Sequence, residues 1–356
     1  MKAAAQWVRD EIRALEAYHV APAAGFVKLD AMENPYRLPP ELTEELGRRL
    51  AQVAVNRYPD PGAPALKSAL REAMAIPAEH EIVLGNGSDE ILAMISVALA
   101  KPGATLLSLE PSFAMYRMCA ISAGMGYAGV SLSPDFSPDL PATLEAIGRL
   151  RPALTWIAYP NNPTGNLFPR QAVLEIVAAS PGLVVVDEAY YAFAGGETFL
   201  PDLGRHPNLV LVRTVSKLGL AGLRLGLAIG PRDWLAEFDK VRLPYNVNVL
   251  TAAAAELVLG RHEVLEEQTR RIVRDRARLE AGLDAIAGVR RFPSAANFVL
   301  VRLPDGPRAF EGLKARGILV RNFHGSHPLL AHCLRITVGT PDENARLLAA
   351  LAQAIG

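Results

Sequence analysis

Cysteine is nearly absent: the 356 residues include two, Cys119 and Cys333. Two cysteines cannot build the crosslinked framework of a small secreted domain, and lone thiols fit a reducing compartment. Charge of one sign is not in excess either, since 37 Lys and Arg face 37 Asp and Glu. Nucleic acid is therefore not expected as a partner, because proteins that hold it carry a basic surplus or patch. Long apolar runs are missing as well. The longest, Ile91–Ala100, is bounded by Glu90 and Lys101 and falls well short of the roughly 20 residues of a membrane span. It reads as a buried helix. The opening Met1-Lys2-Ala3-Ala4-Ala5 begins like a secretion signal, but Arg9, Asp10 and Glu11 interrupt it before an apolar stretch forms. No repeat or low-complexity segment stands out. These absences together predict a cytoplasmic chain with neither a membrane nor a nucleic acid as partner.

What is present is core-forming sequence. Half of the residues are hydrophobic and 21% are charged, which supports a large buried core, and the length suggests about two domains. Residues 6–17 have the periodicity of a short amphipathic helix. A Pro-rich stretch through Pro22, Pro35, Pro39 and Pro40 then reads as a surface arm. Residues 41–54 are again helical, Tyr58–Gly62 is a turn, and Pro64–Met74 is a helix opened by proline. The middle of the chain alternates short β-rich runs (82–84, 105–109, 154–159, 183–187, 209–213 and 224–229) with helical stretches near 88–101, 112–124, 139–149 and 169–179. That alternation predicts an α/β fold with a mostly parallel sheet between helices, in which ligands bind at the carboxyl ends of the strands. After Pro244 a long helical region at 249–286 precedes strands at 297–301, 318–320 and 334–338 and helices at 307–316 and 341–354. The expected organisation is an arm (1–36), a large domain (37–245) and a smaller α+β domain (246–356).

Three segments fall where such a sheet places a ligand. Leu154–Tyr159 runs into Pro160-Asn161-Asn162-Pro163-Thr164-Gly165. Leu183–Val186 runs into Asp187-Glu188-Ala189-Tyr190, and Leu209–Val212 into Arg213-Thr214-Val215-Ser216-Lys217. Taken singly they read as a turn, a capped helix start and a surface lysine. Three in succession, each at a strand's carboxyl end, point to a site. A fourth segment, Gly85-Asn86-Gly87-Ser88-Asp89-Glu90, leads from a strand into a helix whose free N–H groups suit an anion.

This set resembles the fold-type-I pyridoxal-phosphate aminotransferases of class I/II, through N-N-P-T-G, D-E-A-Y and S-K followed by G-L-R. The resemblance implies pyridoxal 5'-phosphate as cofactor, with Lys217 as the Schiff-base lysine and proton carrier. It places Asp187 against the protonated pyridine nitrogen, Tyr190 and Asn162 on the ring's phenolic oxygen, and Phe113 on the ring face. The phosphate cradle would comprise Gly87, Ser88, Asp89, Ser216 and Arg224. Lys217 and Arg224 are seven residues apart, one fewer than in many relatives.

Within that superfamily the sequence is most similar to the histidinol-phosphate aminotransferases. The similarity runs through Glu33-Asn34-Pro35-Tyr36, Asn56-Arg57-Tyr58-Pro59 and Leu334–Gly339, although Arg37 stands where a glycine commonly follows Asn-Pro-Tyr. The similarity implies transamination between L-histidinol phosphate and 2-oxoglutarate in histidine biosynthesis. Its partners would be a small amino donor and a phosphorylated acceptor. It also implies a homodimer in which Tyr58 reaches the partner subunit's cofactor phosphate, with Tyr18, Asn162 and Arg335 at the substrate and Arg321 as a second contact. One arginine fork suits either a carboxylate or a phosphate. An aromatic or broad-range transaminase, a threonine-phosphate decarboxylase-like lyase and a cofactor-sensing regulator share the cofactor residues, but the regulator needs a DNA-binding domain for which no pattern is seen. His324, His327 and His332 cluster in a polar loop without the frame of a metal site.

Overall fold

Strands built from unbroken Val, Leu and Ile must be covered on both faces, and here they are. A computed structural model describes residues 4–17 and 22–355. In chain order the strands are β1 (Val27–Leu29), β2 (Glu81–Asn86), β3 (Thr105–Glu110), β4 (Gly126–Ser131), β5 (Leu154–Ala158), β6 (Leu183–Asp187), β7 (Leu209–Thr214), β8 (Leu225–Gly230), β9 (Arg290–Arg291), β10 (Phe298–Arg302), β11 (Ile318–Asn322) and β12 (Cys333–Thr337). β5 to β8 are buried along their whole length. Their side chains alternate between two cores: Val184, Val186, Leu209 and Leu211 enter one, and Leu183, Val185, Val210 and Val212 the other, as the two-residue period of a strand requires.

The larger sheet has the order β2-β8-β7-β6-β5-β3-β4. Its pairings from β7 to β4 are parallel, and β8 runs against both its neighbours. This reversal matters for the site. Leu225 at the start of β8 pairs with Asn86 at the end of β2, and Gly226 pairs with Thr214 at the end of β7. The segment before β8 therefore joins the segments after β2, β5, β6 and β7 at one edge.

The smaller sheet has the order β1-β11-β12-β10-β9. The arm contributes β1, which runs parallel to β11 with Val27 opposite Ile318. The arm is thereby built into the second layer, and its next residues are delivered to the edge of the first. Helices His262–Asp284, Gly306–Ala315 and Pro341–Ile355 close the core of the smaller sheet through Ile272, Leu279, Leu313, Leu347 and Leu351.

Some elements differ from expectation. The amphipathic stretch at 6–17 forms only a 3-10 turn and the four-residue helix Asp10–Arg13, which buries no side chain. Without tertiary burial, so short a segment does not offset the cost of helix nucleation. The helical region at 249–286 is divided at Gly260 and Arg261 into Val249–Leu259 and His262–Asp284. The first half packs on helices Pro40–Ala51 and Pro64–Ala73 and gives Ala255, Val258 and Leu259 to the larger sheet's core. The strand expected at 224–229 starts at Leu225, because Arg224 has a left-handed backbone with φ 49°. Strand β4 carries two glycines and no fully buried residue, which leaves little pattern for sequence reasoning to find. Among the described residues, no helix is long and apolar enough to cross a membrane.

Candidate active site

The edge where the strand ends meet encloses a cavity of about 360 Å³. Each expected segment supplies part of its wall: Ser88 and Asp89 after β2, Phe113 after β3, Asn162 after β5, Asp187 at the end of β6 and Tyr190 after it. Ser216 and Lys217 follow β7, and Arg224 precedes β8. The arm closes one side with Ala31, Met32 and Glu33.

Strand alternation explains which side chains turn inward. Asp187 continues the face of Leu183 and Val185, whereas Glu188 takes the opposite face, shared by Leu209, Leu211 and Arg213. Asp187 is 6% exposed. Its Oδ1 accepts the Ala189 N–H at 3.1 Å and its Oδ2 accepts the Tyr116 hydroxyl at 2.8 Å. Burial raises its pKa to about 6 despite those two donors, and the neighbouring Asp89 and Glu188 charges push the same way. On the other face, Arg213 and Glu188 form an ion pair at 2.9 Å, with side chains 2% and 0% exposed. Glu188 also accepts from the Phe199 N–H and the Thr198 hydroxyl, and Arg213 donates to the Met74 carbonyl. The pair thus welds the turn after Asp187 to β7. Replacing Arg213 with methionine leaves Glu188 charged in the core and is expected to cost about 3–5 kcal/mol. A urea unfolding curve with an unchanged midpoint would contradict that role.

Lys217 follows β7 in a short 3-10 turn, Ser216–Leu218. Its ammonium donates to the Ala31 carbonyl at 3.2 Å. Burial, and then the Arg335 charge, lower its pKa to about 8, with Glu33 and Asp89 opposing and Arg224 reinforcing the shift. A lysine so placed releases its proton near neutrality. Asn162, 6% exposed, donates to the Tyr190 hydroxyl at 3.3 Å and accepts from the Arg335 guanidinium at 2.5 Å. Arg335 also donates to the Asp30 carbonyl at 2.9 Å and lies 5.2 Å from the ring centres of both Phe298 and Phe323. Tyr190 meets Phe298 edge to face at 5.1 Å.

At the other end of the cavity the backbone makes a cradle. Helix Ser88–Leu99 opens on the cavity from Gly87, with no side chain capping its first N–H groups. Gly87 has φ +81°, and a Cβ there would strike the Arg224 guanidinium. A Cβ on Gly226 would strike the Ser88 amide. These glycines let Arg224, the helix start and β8 converge. Arg224 pairs with Asp89 at 3.2 Å, both side chains being about half exposed at 48% and 47%. The Thr214 hydroxyl donates to Ser216 Oγ at 2.8 Å. Two uncapped N–H groups, a serine hydroxyl and a guanidinium form a donor set suited to a phosphate. A carboxylate, a half-buried amine and an aromatic face occupy the remainder.

Some expected residues do not line the cavity within the single chain. Tyr58 is 81% exposed and stacked on Tyr245 at 4.5 Å, outside the cavity wall. Arg321 pairs in register with Arg335 across β11 and β12. Tyr18 lies outside the described residues. The His324, His327 and His332 rings accept backbone N–H groups of His332, Leu329 and Gly306 through Nδ1. Sequence reasoning missed Tyr116, Thr214, the arm's Ala31–Glu33 and the Glu188–Arg213 pair. A faint signal existed for two of these: Tyr116 is three residues after Phe113, and Glu188 and Arg213 each adjoin a residue of the site.

The sequence model of the family described as aminotransferase class I and II matches residues 24–351. A histidinol-phosphate aminotransferase of Chromobacterium violaceum is 57% identical over 346 residues, 97% of each chain. Histidinol-phosphate aminotransferase 2 of Nitrosococcus oceani is 52% identical, covering 98% of this chain and 97% of its own. Among solved structures, histidinol-phosphate aminotransferase from Sinorhizobium meliloti in complex with pyridoxal-5'-phosphate matches with a TM-score of 0.87 at 27% identity, over 98% of this chain and 97% of that one.

Proposed function

This chain belongs to the aminotransferase class I and II family, and we propose that it moves an amino group between L-histidinol phosphate and 2-oxoglutarate in histidine biosynthesis. Relatives that bear the activity's name at 50–57% identity support the reading. The observation that carries it is the Arg335 guanidinium fixed against Asn162, beside the cavity that holds Lys217 and Asp187. The fold is fold-type-I α/β, and the enzyme is a transferase.

Pyridoxal 5'-phosphate is the cofactor, and the donor set fits it: a phosphate cradle at one end, an acid at the other and an amine between them. When bound, it supplies an electron sink for the carbanion formed at the substrate's Cα. The chain's own residues do the rest. Ser216, Arg224 and the Ser88 and Asp89 N–H groups hold the phosphate, with Gly87 admitting them. Asp187 holds the proton on the pyridine nitrogen. Tyr190 and Asn162 hold the ring hydroxyl, and Phe113 covers the ring face. Lys217 anchors the cofactor and carries the proton to and from the substrate's Cα. Arg335 forks the substrate's phosphate in one half-reaction and glutamate's carboxylate in the other, with Arg321 as a second contact and Tyr18 beside the substrate.

Arg335→Lys keeps the charge and loses the fork. It is expected to raise KM for the phosphorylated substrate by about tenfold or more, with a smaller change in kcat. A steady-state comparison with equal effects on both constants would remove Arg335 from substrate binding. Activity with glutamate and imidazole-acetol phosphate tests the whole reading. Preference for aromatic keto acids, or carbon dioxide release from threonine phosphate, would overturn it.

Lys217 captures the cofactor only as the free amine. With a pKa near 8, the rate of cofactor uptake by the stripped protein is expected to rise about tenfold per pH unit below that value and to level off above it. Stopped-flow absorbance from pH 6 to 10 measures this, and a flat profile would exclude Lys217 as the titrating group.

The proposed assembly is a homodimer. Tyr58, Tyr245, Val55 and Leu243 are large exposed hydrophobics, and burying them against a second copy would bring Tyr58 to the partner subunit's cofactor phosphate. The chain is proposed to act in the cytoplasm, with an arm at 1–36 and a boundary between larger and smaller domains near 245.

A further inference from the structure

We propose that Tyr116 is a positioning residue of this site, whose hydroxyl keeps Asp187 ionised and aimed at the cofactor's pyridine nitrogen. The inference rests on the role given to Asp187 above. The two oxygens of Asp187 are held differently. Oδ1 takes the N–H of Ala189, two residues along the same chain. Oδ2 takes the Tyr116 hydroxyl, which comes from a separate element, helix Met115–Ala123. Tyr116 therefore ties the orientation of the carboxylate to the body of the fold.

The tyrosine is itself immobilised. It is 0% exposed, its ring stacks on Trp156 at 5.2 Å and 10°, and it meets Phe113 edge to face at 5.7 Å and 89°. Only the O–H torsion remains free. The turn that leads into helix Met115–Ala123, in which the Tyr116 N–H donates to the Phe113 carbonyl at 3.1 Å, thus supplies both the aromatic that covers the cofactor ring and the donor behind the acid at the ring's nitrogen.

The direction of the proton follows from the surroundings. Burial and the Asp187 charge push the Tyr116 phenol well above its ordinary range, while burial takes Asp187 to about 6. At neutral pH the proton therefore stays on the tyrosine and the bond is of the charge-assisted kind, which favours the carboxylate. Asp89 from helix Ser88–Leu99 and Glu188 next in the chain both oppose ionisation. Tyr190 faces the pair from its turn and Tyr127 from β4. Lys217 and Arg224 stand in the same cavity wall. Among the side chains acting on Asp187, Tyr116 supplies the hydrogen bond that favours its charge.

Tyr116→Phe keeps the ring packing and deletes the hydroxyl. Three readouts are taken: cofactor affinity of the stripped protein by fluorescence quenching from pH 5 to 9, thermal unfolding of the stripped protein over the same range, and the glutamate half-reaction. The last does not depend on which phosphorylated substrate is used. A hydrogen bond to a charged group lost from a buried site predicts a roughly ten- to hundredfold weaker cofactor affinity at pH 7. It also predicts that the pH below which affinity falls moves up by about one unit, as does the pH at which the stripped protein's loss of stability levels off. kcat falls while KM for glutamate stays within about twofold. In an Asp187→Asn background the hydroxyl has no charge to hold, so Tyr116→Phe adds little. Tyr116→Leu removes the packing as well. If Leu weakens binding while Phe matches the wild type in affinity and pH break, the role is packing alone and the inference fails. It fails equally if Phe has the same effect with Asn at 187. A wild-type protein that takes up no cofactor would instead refute the site assignment beneath it.

Discussion

Lys217→Ala is expected to lower turnover by about ten-thousandfold or more, because covalent anchoring and proton transfer at the substrate's Cα are lost together. The amine is the half-buried base at the cavity floor, and its neighbours Arg335 and Arg224 help to free its proton. Among the described residues no second amine lines the cavity wall, so none of them offers a substitute. Small primary amines added to the variant should restore part of the rate, in proportion to their free-base concentration, since the space vacated by the side chain admits them. Borohydride treatment of the wild type should leave the pyridoxyl group on Lys217, seen by peptide mass spectrometry. A label on another lysine, or a variant within tenfold of the wild type, would overturn the assignment.

Asp187→Asn is expected to reduce kcat by about a hundred- to a thousandfold, with KM changed far less, because the negative charge acts mainly where charge develops in the transition state. The amide keeps the volume and loses the anion. The pH behaviour carries the sign. The folded chain raises this carboxyl from 3.8 to about 6, so the native state holds the proton more tightly than the unfolded state within that window. Stability of the cofactor-free protein therefore falls as pH rises from about 4 to 6, and cofactor binding, which brings a cation to the acid, should restore it. Thermal unfolding with and without cofactor at pH 5 and 7.5 measures this, and the cofactor's stabilising shift should be larger at pH 7.5. In the asparagine variant that difference should shrink. Near-normal turnover in the variant would remove Asp187 from its role.

Much of the site was legible because it is local. An apolar strand of five or six residues followed by a polar turn places Asn162, Asp187 and Lys217 at the sheet's edge, whatever surrounds them. Gly87 before Ser88 marks a helix start open to an anion for the same reason. Other features gave no such local cue. The helix expected over 6–17 shrank because it buries no side chain. The reversed strand β8, which brings Arg224 back to the cradle, has the same apolar pattern as its parallel neighbours. Period and hydrophobicity do not encode direction.

Sequence alone determined the fold class, the strand-end residues and the family resemblance, since each depends on short-range order along the chain. Tertiary structure decided which groups meet. Tyr116 reaches Asp187 across 71 residues, Arg335 reaches Asn162 across 173, and the Ala31 carbonyl receives Lys217 across 186. The ionisation of Asp187 and Lys217 was decided there too. Burial and the charges of distant neighbours set it, and both exist only once the two sheets and the arm have closed around the cavity.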